Sequence, residues 1–534
     1  MLGEVNFHLN PMSNETYQLR DYQRTLIDNI FKAWEAGHQS VLAYLPTGAG
    51  KTICFSAIAA TFIDNNRRVL VIAHLEELIT QAATELAKTT GEEIGIIKAD
   101  YVPNPDARIQ VASIQTLVRR ELPNIGSGLV IIDEAHHAAS PTYSQIISYY
   151  REQESRILGV SATPNRPDGR SLCKLHKGTK GFDVLVTGPG TAQLIAQRYL
   201  VPFKIFAAER LLDAASSGVQ TKGGDYDETE LSQYVRKTLV LGDVIQTWHT
   251  HALGLRTVVF AVSVPHAHEL AAAFSSAGIT AEAVDGQTPS GKRTAILQRF
   301  ASGKTLVLCQ YSLLVEGVDV PGIQAVVWSR PTQSLVVWLQ GIGRGLRPFS
   351  GKQELIIIDH TLNHIIHPWP NTDIAWSLEP VTIKPDKNTF TCTSCNHVFR
   401  PTADEQNSGA VCCPSCGASL SEPYQLQEPT TAELEEKVTA KHQRIIEVLP
   451  ANFIEVSPQL DPNKMKQVHR LFKIQKESGY KRGWLIYRLQ ELEKELQLGL
   501  IEWQEVGRLL GYNSNWALMQ WREYQLRENS QHKH

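Results

Sequence analysis

Pro46-Thr47-Gly48-Ala49-Gly50-Lys51-Thr52 is the stretch on which the fold turns. It follows the apolar run Val41–Leu45 and opens the helix-forming stretch Lys51–Ile63. Strand, glycine-rich loop and helix in succession make a phosphate cradle. The backbone N–H groups from Gly48 through Ala49 and Gly50 to Lys51 can point at a β-phosphate, and the helix N-terminus adds partial positive charge. Lys51 can reach the β- and γ-phosphates, and the Thr52 hydroxyl can take a magnesium position, with Thr47 completing the loop. The strict form of this loop carries glycine at position 45, where this chain has Leu45.

Two further stretches extend the site. Asp133-Glu134-Ala135-His136 follows the apolar run Leu129–Ile132. A carboxylate at such a strand end holds magnesium, so Asp133 takes that role, and Glu134 can orient and deprotonate an attacking water. Two acids at the end of a buried strand are costly without a compensating cation. Gln340-Gly341-Ile342-Gly343-Arg344-Gly345-Leu346-Arg347 lies far downstream. Arg344 and Arg347 are three residues apart, so they are expected to share a helix face or its first turn. Their chemistry would neutralise charge that develops on a transferred γ-phosphoryl group.

The surrounding pattern places these loops. Val41–Leu45, Val69–Ala73, Ile109–Ala112, Leu129–Ile132 and Ile157–Val160 read as buried parallel strands, with helical stretches such as Glu76–Lys88 between them. A second series comprises Thr257–Ala261, Ala281–Val284, Thr305–Leu308, Ala325–Trp328 and Leu355–Ile358. Alternating strands and helices imply two tandem doubly wound α/β domains, at 1–200 and 237–380. The stretch 201–236, with a Ser-, Gly- and Asp-rich segment at Ala214–Asp227, reads as the connection between them.

Composition bounds the rest. At 534 residues the chain is too long for one core. A net charge of −3 gives no global positive field, although a local groove can still be basic. No apolar stretch approaches the roughly 20 residues that span a bilayer, so no membrane association is expected. Met1 to Pro11 lacks the pattern of a secretory signal, so a cytoplasmic location is expected.

Five of the eight cysteines crowd between Cys392 and Cys416. Cys392-x2-Cys395 and Cys413-x2-Cys416 stand 17 residues apart, the spacing of a zinc ribbon at 385–425. Four thiolates fill a tetrahedral shell, so such a Zn²⁺ would be structural. Cys412 is the spare, and His397 is a substitute ligand or a surface residue. Residues 426–534 read as an α-helical domain. Within it, Lys473, Lys481, Arg482 and other basic residues alternate with Phe472, Tyr480, Trp484 and Tyr487. Such a mixture suits phosphate contact with base stacking, or equally a helical core with a solvated charged face.

Together these residues resemble the superfamily 2 helicases of the DEAH type, from Leu19 to about Asp359. Leu19-Arg20-Asp21-Tyr22-Gln23 is similar to the adenine-reading segment, which implies that Gln23, beside Arg20, hydrogen-bonds the base. Ala73 to Gln81 is similar to the segment that touches the nucleic-acid backbone, which places His74 and Gln81, and with them Thr116, on that side. Ser161-Ala162-Thr163-Pro164 matches the motif that links hydrolysis to domain movement, with His136 and Gln340 in the same coupling role. Glu316-Gly317-Val318-Asp319-Val320-Pro321 resembles the motif that brings Gly317 and Asp319 to the nucleotide. The arginine finger of the family falls at Arg347.

The resemblance implies two RecA-like domains, ATP and Mg²⁺ in the cleft between them, and a nucleic-acid substrate, DNA ahead of RNA. A helicase core followed by a cysteine module and a helical tail looks most like the bacterial RadD-type DNA-repair helicases and their phage-encoded relatives. Protein partners would dock through the ribbon or the tail. A P-loop kinase or transport ATPase would explain residues 46–52 and Asp133 but leave the downstream motifs idle. A nucleic-acid-binding scaffold with an inactive core would lack some of Lys51, Asp133, Glu134 and Arg347, all of which are present.

Overall fold

The computed structural model describes residues 19–99, 101–165, 170–239, 241–313, 320, 322–381, 389–402, 405, 411–420, 468–474, 489 and 506. The chain forms two compact units, Met1–Gln425 and Leu426–His534. The first unit holds two parallel-sheet domains of RecA-like type.

In the first domain the strands are β1 (Ser40–Tyr44), β2 (Val69–Ala73), β3 (Ile94–Ile97), β4 (Ile109–Ser113), β5 (Leu129–Ile132), β6 (Arg156–Ser161) and β7 (Val184–Thr187). They make one parallel sheet in the order β3-β4-β2-β5-β6-β1-β7. β1, β2, β4 and β5 are buried at every residue because helices cover both faces, which is why they read as unbroken apolar runs. The helix α1 (Asp21–Glu35) buries the stripe Leu26, Ile27, Ile30, Phe31 and Trp34. The helix α2 (Lys51–Asp64) is sunk into the core, and α3 (Glu76–Thr90) ends on Gly91, whose φ of 70° suits a residue without Cβ. Strand order decides the site. β5, β6 and β1 are consecutive neighbours, so the loops after them emerge side by side at one sheet edge.

The second sheet comprises β8 (Phe203–Leu212), β11 (Thr257–Phe260), β12 (Ala281–Val284), β13 (Val307–Gln310), β14 (Ala325–Trp328), β15 (Leu355–Thr361), β16 (Phe390–Thr391) and β17 (His397–Phe399). Its order is β12-β13-β11-β14-β15-β8-β17-β16. The intervening β9 (Thr221–Lys222) and β10 (Asp225–Tyr226) form a small hairpin.

Three expectations are corrected here. The stretch 201–236 does not simply connect the domains: β8 pairs in parallel with β15 and is part of the second sheet. Its buried apolar run is only Ile205–Ala208, flanked by Lys204 and by Glu209 and Arg210, and so is short among the buried strands. The strand expected at Thr305–Leu308 runs from Val307, because Leu306 and Val307 donate their backbone N–H groups to Thr280 as the chain enters the sheet. The cysteine segment is not a separate bead: β17 adds antiparallel to β8, with His397 opposite Phe206 and Val398 opposite Ile205. A second hairpin, β18 (Val411–Cys412) with β19 (Ser419–Leu420), completes it.

One apolar cluster runs from Leu26 and Phe55 in the first domain to Trp328, Trp338 and Ile342 in the second. Among the described residues, no helix is long and apolar enough to cross a membrane. In the second unit, residues 468–474 are helical, with Val468 buried and Lys473 exposed. Lys481, Arg482 and Trp484 lie outside the described residues.

Candidate active site

The phosphate loop leaves β1 through Leu45, which is 1% exposed and packs in the core where the strict motif would have glycine. The left-handed turns fall instead at Gly48 and Gly50, each with φ of 86°. Neither position has room for a side chain: a Cβ on Gly50 would lie 2.5 Å from Gln23 Nε2, and one on Gly48 would lie 2.9 Å from Arg347 Cγ. Gln23 Nε2 donates to the Ala49 carbonyl at 3.2 Å, and Tyr22 OH donates to the same oxygen at 2.9 Å. Gln23 Oε1 accepts from the Arg20 backbone N–H at 2.9 Å. In this structure the expected base-reading glutamine is buried and braces the loop. Arg20 donates to Tyr22 OH and lies 4.6 Å over the Tyr199 ring. Tyr22 and Tyr199 line a separate cavity of about 680 Å³ with Thr187, Gly188 and Gln197.

Asp133 and Glu134 end β5 at 5% and 6% exposure. Asp133 Oδ1 accepts from the Glu134 N–H at 2.9 Å. Glu134 sits at φ of 48°, a conformation that costs a non-glycine residue on the order of 1 kcal/mol or more and is typical of sites whose side chain must be aimed. Burial, and next the Glu134 charge, push the Asp133 carboxyl up to about 6. Burial pulls the Lys51 ammonium below its ordinary value, opposed by Glu134 and then Asp133. Two buried acids beside one desolvated lysine form a donor set that suits a divalent cation and a polyphosphate.

A buried chain of polar contacts surrounds Glu134. His136 Nδ1 lies 3.4 Å from Glu134 Oε2 and 3.3 Å from Ser161 Oγ. Ser161 Oγ accepts from the Thr163 N–H at 3.1 Å. Gln340 Nε2 reaches across from the second domain and donates to Glu134 Oε2 at 3.2 Å and to Thr163 Oγ1 at 3.3 Å. The four residues expected to couple the domains are therefore in contact with the candidate base or with one another.

Gln340 lies on the helix Leu335–Gly345, capped by Ser334, whose Oγ accepts from the Val337 N–H. Its glycines permit close approach. A Cβ on Gly343 would fall 2.6 Å from Thr47 Cβ, and one on Gly341 would fall 2.8 Å from Trp328. The two arginines do not share a helix face or a first turn. Arg344 is in the last turn, and Arg347 lies past the C-cap Leu346. Both still line one cleft of about 490 Å³ with Gly48, Lys51, Thr52, Asp133 and Glu134.

Gln81, expected against nucleic acid, is exposed on α3 and lines the mouth of this same cleft. His74 and Thr116 remain at the sheet edge: the His74 carbonyl accepts from Gln115 Nε2 at 3.1 Å, and Thr116 follows on the short helix Ile114–Leu117. Gly317 and Asp319 lie outside the described residues.

Sequence reading missed several supporting groups. The Asp225 carboxylate, within the stretch read as a loop, accepts from the Gln333 N–H at 2.7 Å and Thr332 Oγ1 at 2.8 Å, with Arg330 at 3.3 Å. It thereby anchors the segment that leads into the Gln340 helix. Glu77 on α3 pairs with Arg293 of the second domain. No local pattern marks either group, because their partners are over 100 residues away.

The four cysteines expected as ligands converge. The sulfurs of Cys392, Cys395, Cys413 and Cys416 all lie within 4.8 Å of one another. Cys392 to Cys416 is 3.5 Å and Cys395 to Cys413 is 3.6 Å, close to the ~3.8 Å edge of a tetrahedron with metal–sulfur bonds of about 2.3 Å. The knuckles are alike. The Ser394 and Ser415 N–H groups each donate to a sulfur at 3.4 Å, and Asn396 and Gly417 take the same left-handed position. Cys412 points outward. His397 is not a surface residue: it is buried in β17 against Phe206, outside the four converging sulfurs, with Nδ1 4.0 Å from Cys413 Sγ.

Comparison with known proteins agrees with this geometry. Residues 16–166 match the family described as "Type III restriction enzyme, res subunit", and residues 237–348 match "Helicase conserved C-terminal domain". A "51.5 kDa protein" of a Lactococcus phage (isolate 7-9) is 32% identical over 331 residues, covering 62% of this chain and 68% of that protein. The "Putative ATP-dependent helicase IRC3" of Saccharomyces cerevisiae is 31% identical over 363 residues, covering 64% of this chain but only 51% of the yeast protein. The "DNA 3'-5' translocase XPB2" of Sulfurisphaera tokodaii is 25% identical over 389 residues, covering 65% of this chain and 82% of that one. With its motifs facing one cleft between two parallel-sheet domains, and with these relatives, the chain belongs to the superfamily 2 helicases of the DEAD/DEAH type, which hydrolyse ATP.

Proposed function

We propose that this chain is a DNA-dependent ATPase that moves along or separates DNA strands, in repair, recombination or replication. One observation carries the proposal: groups from both domains meet at one candidate base, with Gln340 of the second bonded to Glu134 of the first. ATP in the cleft would be held by the loop 47–52, with Mg²⁺ at Asp133 and Thr52. Glu134 would take the proton of the attacking water. Arg344 and Arg347 would face the γ-phosphate from the other side. Loss of that phosphate removes what both domains grip, so the domains can separate, and DNA lying across them is held alternately. A transport ATPase or kinase would have no use for the contact between Gln340 and Glu134. The preference for DNA over RNA draws on the relative named as a DNA translocase.

ATP turnover should be measured with single-stranded, duplex and forked DNA and with RNA. Stimulation by DNA well above that by RNA is expected. Turnover indifferent to every polynucleotide would sink the motor reading, and preference for RNA would move the substrate to the runner-up.

The metal of the cysteine centre we propose to be zinc, structural because all four positions are sulfur. Purified protein should carry one zinc per chain by elemental analysis. Cys392→Ser should lose it, and should also lower the melting temperature, because β17 continues the second sheet. Metal-free protein with an unchanged melting curve would rule this out.

A further inference from the structure

The helix Leu335–Gly345 ends just before the residue read as the arginine finger, and helix ends leave carbonyls without partners. Lys352 meets them. The chain turns back after Arg347, closing a turn in which the Lys352 N–H donates to the Phe349 carbonyl at 3.0 Å, with Gly351 at φ of 82°. The Lys352 ammonium then donates to three carbonyls: Gly345 in the helix end, Arg347 itself at 3.3 Å, and Ile323 at 2.5 Å. An ammonium has three N–H donors, so its capacity matches this set. A cation is also favoured at the negative end of a helix.

The third partner ties the helix end to fixed structure. Ile323 is 3% exposed and leads into β14, whose Trp328 packs on Gly341 of the same helix. On the other side, Arg347 Cγ lies against Gly48, and the Gly343 carbonyl would be 3.5 Å from a Cβ placed there. The arginine therefore approaches the phosphate loop from backbone outside the helix, and Lys352 grips that backbone from behind. Burial, and next the nearby Arg256, pull the Lys352 ammonium down to about 7. The three carbonyls stand in for part of the water that the buried ammonium gives up.

We propose that Lys352 is a positioning residue for ATP hydrolysis: it holds the carbonyls of Gly345 and Arg347 and thereby sets the approach of Arg347 to the phosphate loop. This rests on the ATPase reading of the cleft given above.

The test is steady-state ATP turnover, without and with saturating single-stranded DNA, for wild type, Lys352→Met, Lys352→Arg, Arg347→Ala and the double variant Arg347→Ala/Lys352→Met. Lys352→Met should lower kcat about 10- to 100-fold, the effect of displacing a reacting group by about 1 Å. KM for ATP should stay within about two-fold, because the effect falls on the transition state. Lys352→Arg, which keeps the charge and the donors, should recover most of the loss. In the Arg347→Ala background Lys352→Met should cost nothing further, since the group it positions is gone. Unchanged kcat in Lys352→Met overturns the proposal. So does an equal loss in both backgrounds, which would mark general damage. If thermal melting shows Lys352→Met unfolded, Lys352→Gln carries the same comparison with the same outcomes. A wild type without ATP turnover would instead overturn the ATPase reading itself.

Discussion

Arg347→Ala should lower kcat for ATP about 10³-fold or more while KM changes little. The arginine sits beyond the end of its helix, with its Cγ against Gly48, and it lines the cleft shared with Lys51, Asp133 and Glu134. The electron pair of the breaking bond moves onto the β–γ bridging oxygen as the γ-phosphoryl group leaves it, so a cation arriving from the second domain to meet that redistributed charge acts mainly on the transition state. Lys51 and the loop N–H groups, which remain, supply ground-state binding. The measurement is steady-state turnover with ATP affinity determined separately. Normal turnover would remove the second domain from the catalytic site. A loss seen only in affinity would make Arg347 a binding group.

Glu134→Gln should stop turnover, by about 10² to 10⁴-fold, and leave ATP bound. The amide keeps the size of the carboxylate and can still meet Gln340, so the closed arrangement of Glu134, Thr163 and Gln340 survives. It cannot accept a proton. Removing one of the two adjacent buried charges should also lower the Asp133 carboxyl toward its ordinary range, because the Glu134 charge is the second cause of its rise. Magnesium and phosphate contacts through Asp133, Thr52 and Lys51 should therefore persist. Equilibrium binding of ATP alongside single-turnover hydrolysis checks this. Wild-type hydrolysis would show that the base is another group, and lost binding would show that Glu134 holds the nucleotide.

The two sheets and the loops that carry the chemistry were legible because each rests on local pattern. A buried parallel strand is an apolar run, and a phosphate loop needs glycine where φ is positive. The motif spacing singled out Lys51, Asp133, Glu134 and the two arginines, which line one cleft. β8 was not legible, because its apolar run Ile205–Ala208 is short and bounded by Lys204, Glu209 and Arg210, and its neighbour β15 is about 150 residues away.

The sequence by itself determined the class of the fold, the identity of the phosphate loop and its acids, and the four sulfurs that converge. These follow from residue type and short-range spacing. Tertiary structure alone decided how the groups are used. It turned Gln23 toward the Ala49 carbonyl, placed Arg347 past its helix, joined the strand after the first cysteine knuckle to the second sheet, and brought Asp225 to the start and Lys352 to the end of the arginine helix. The physical reason is that a hydrogen bond or close contact needs a partner within a few ångströms. Strand order and helix packing choose that partner, and neither is written in the residues next to it.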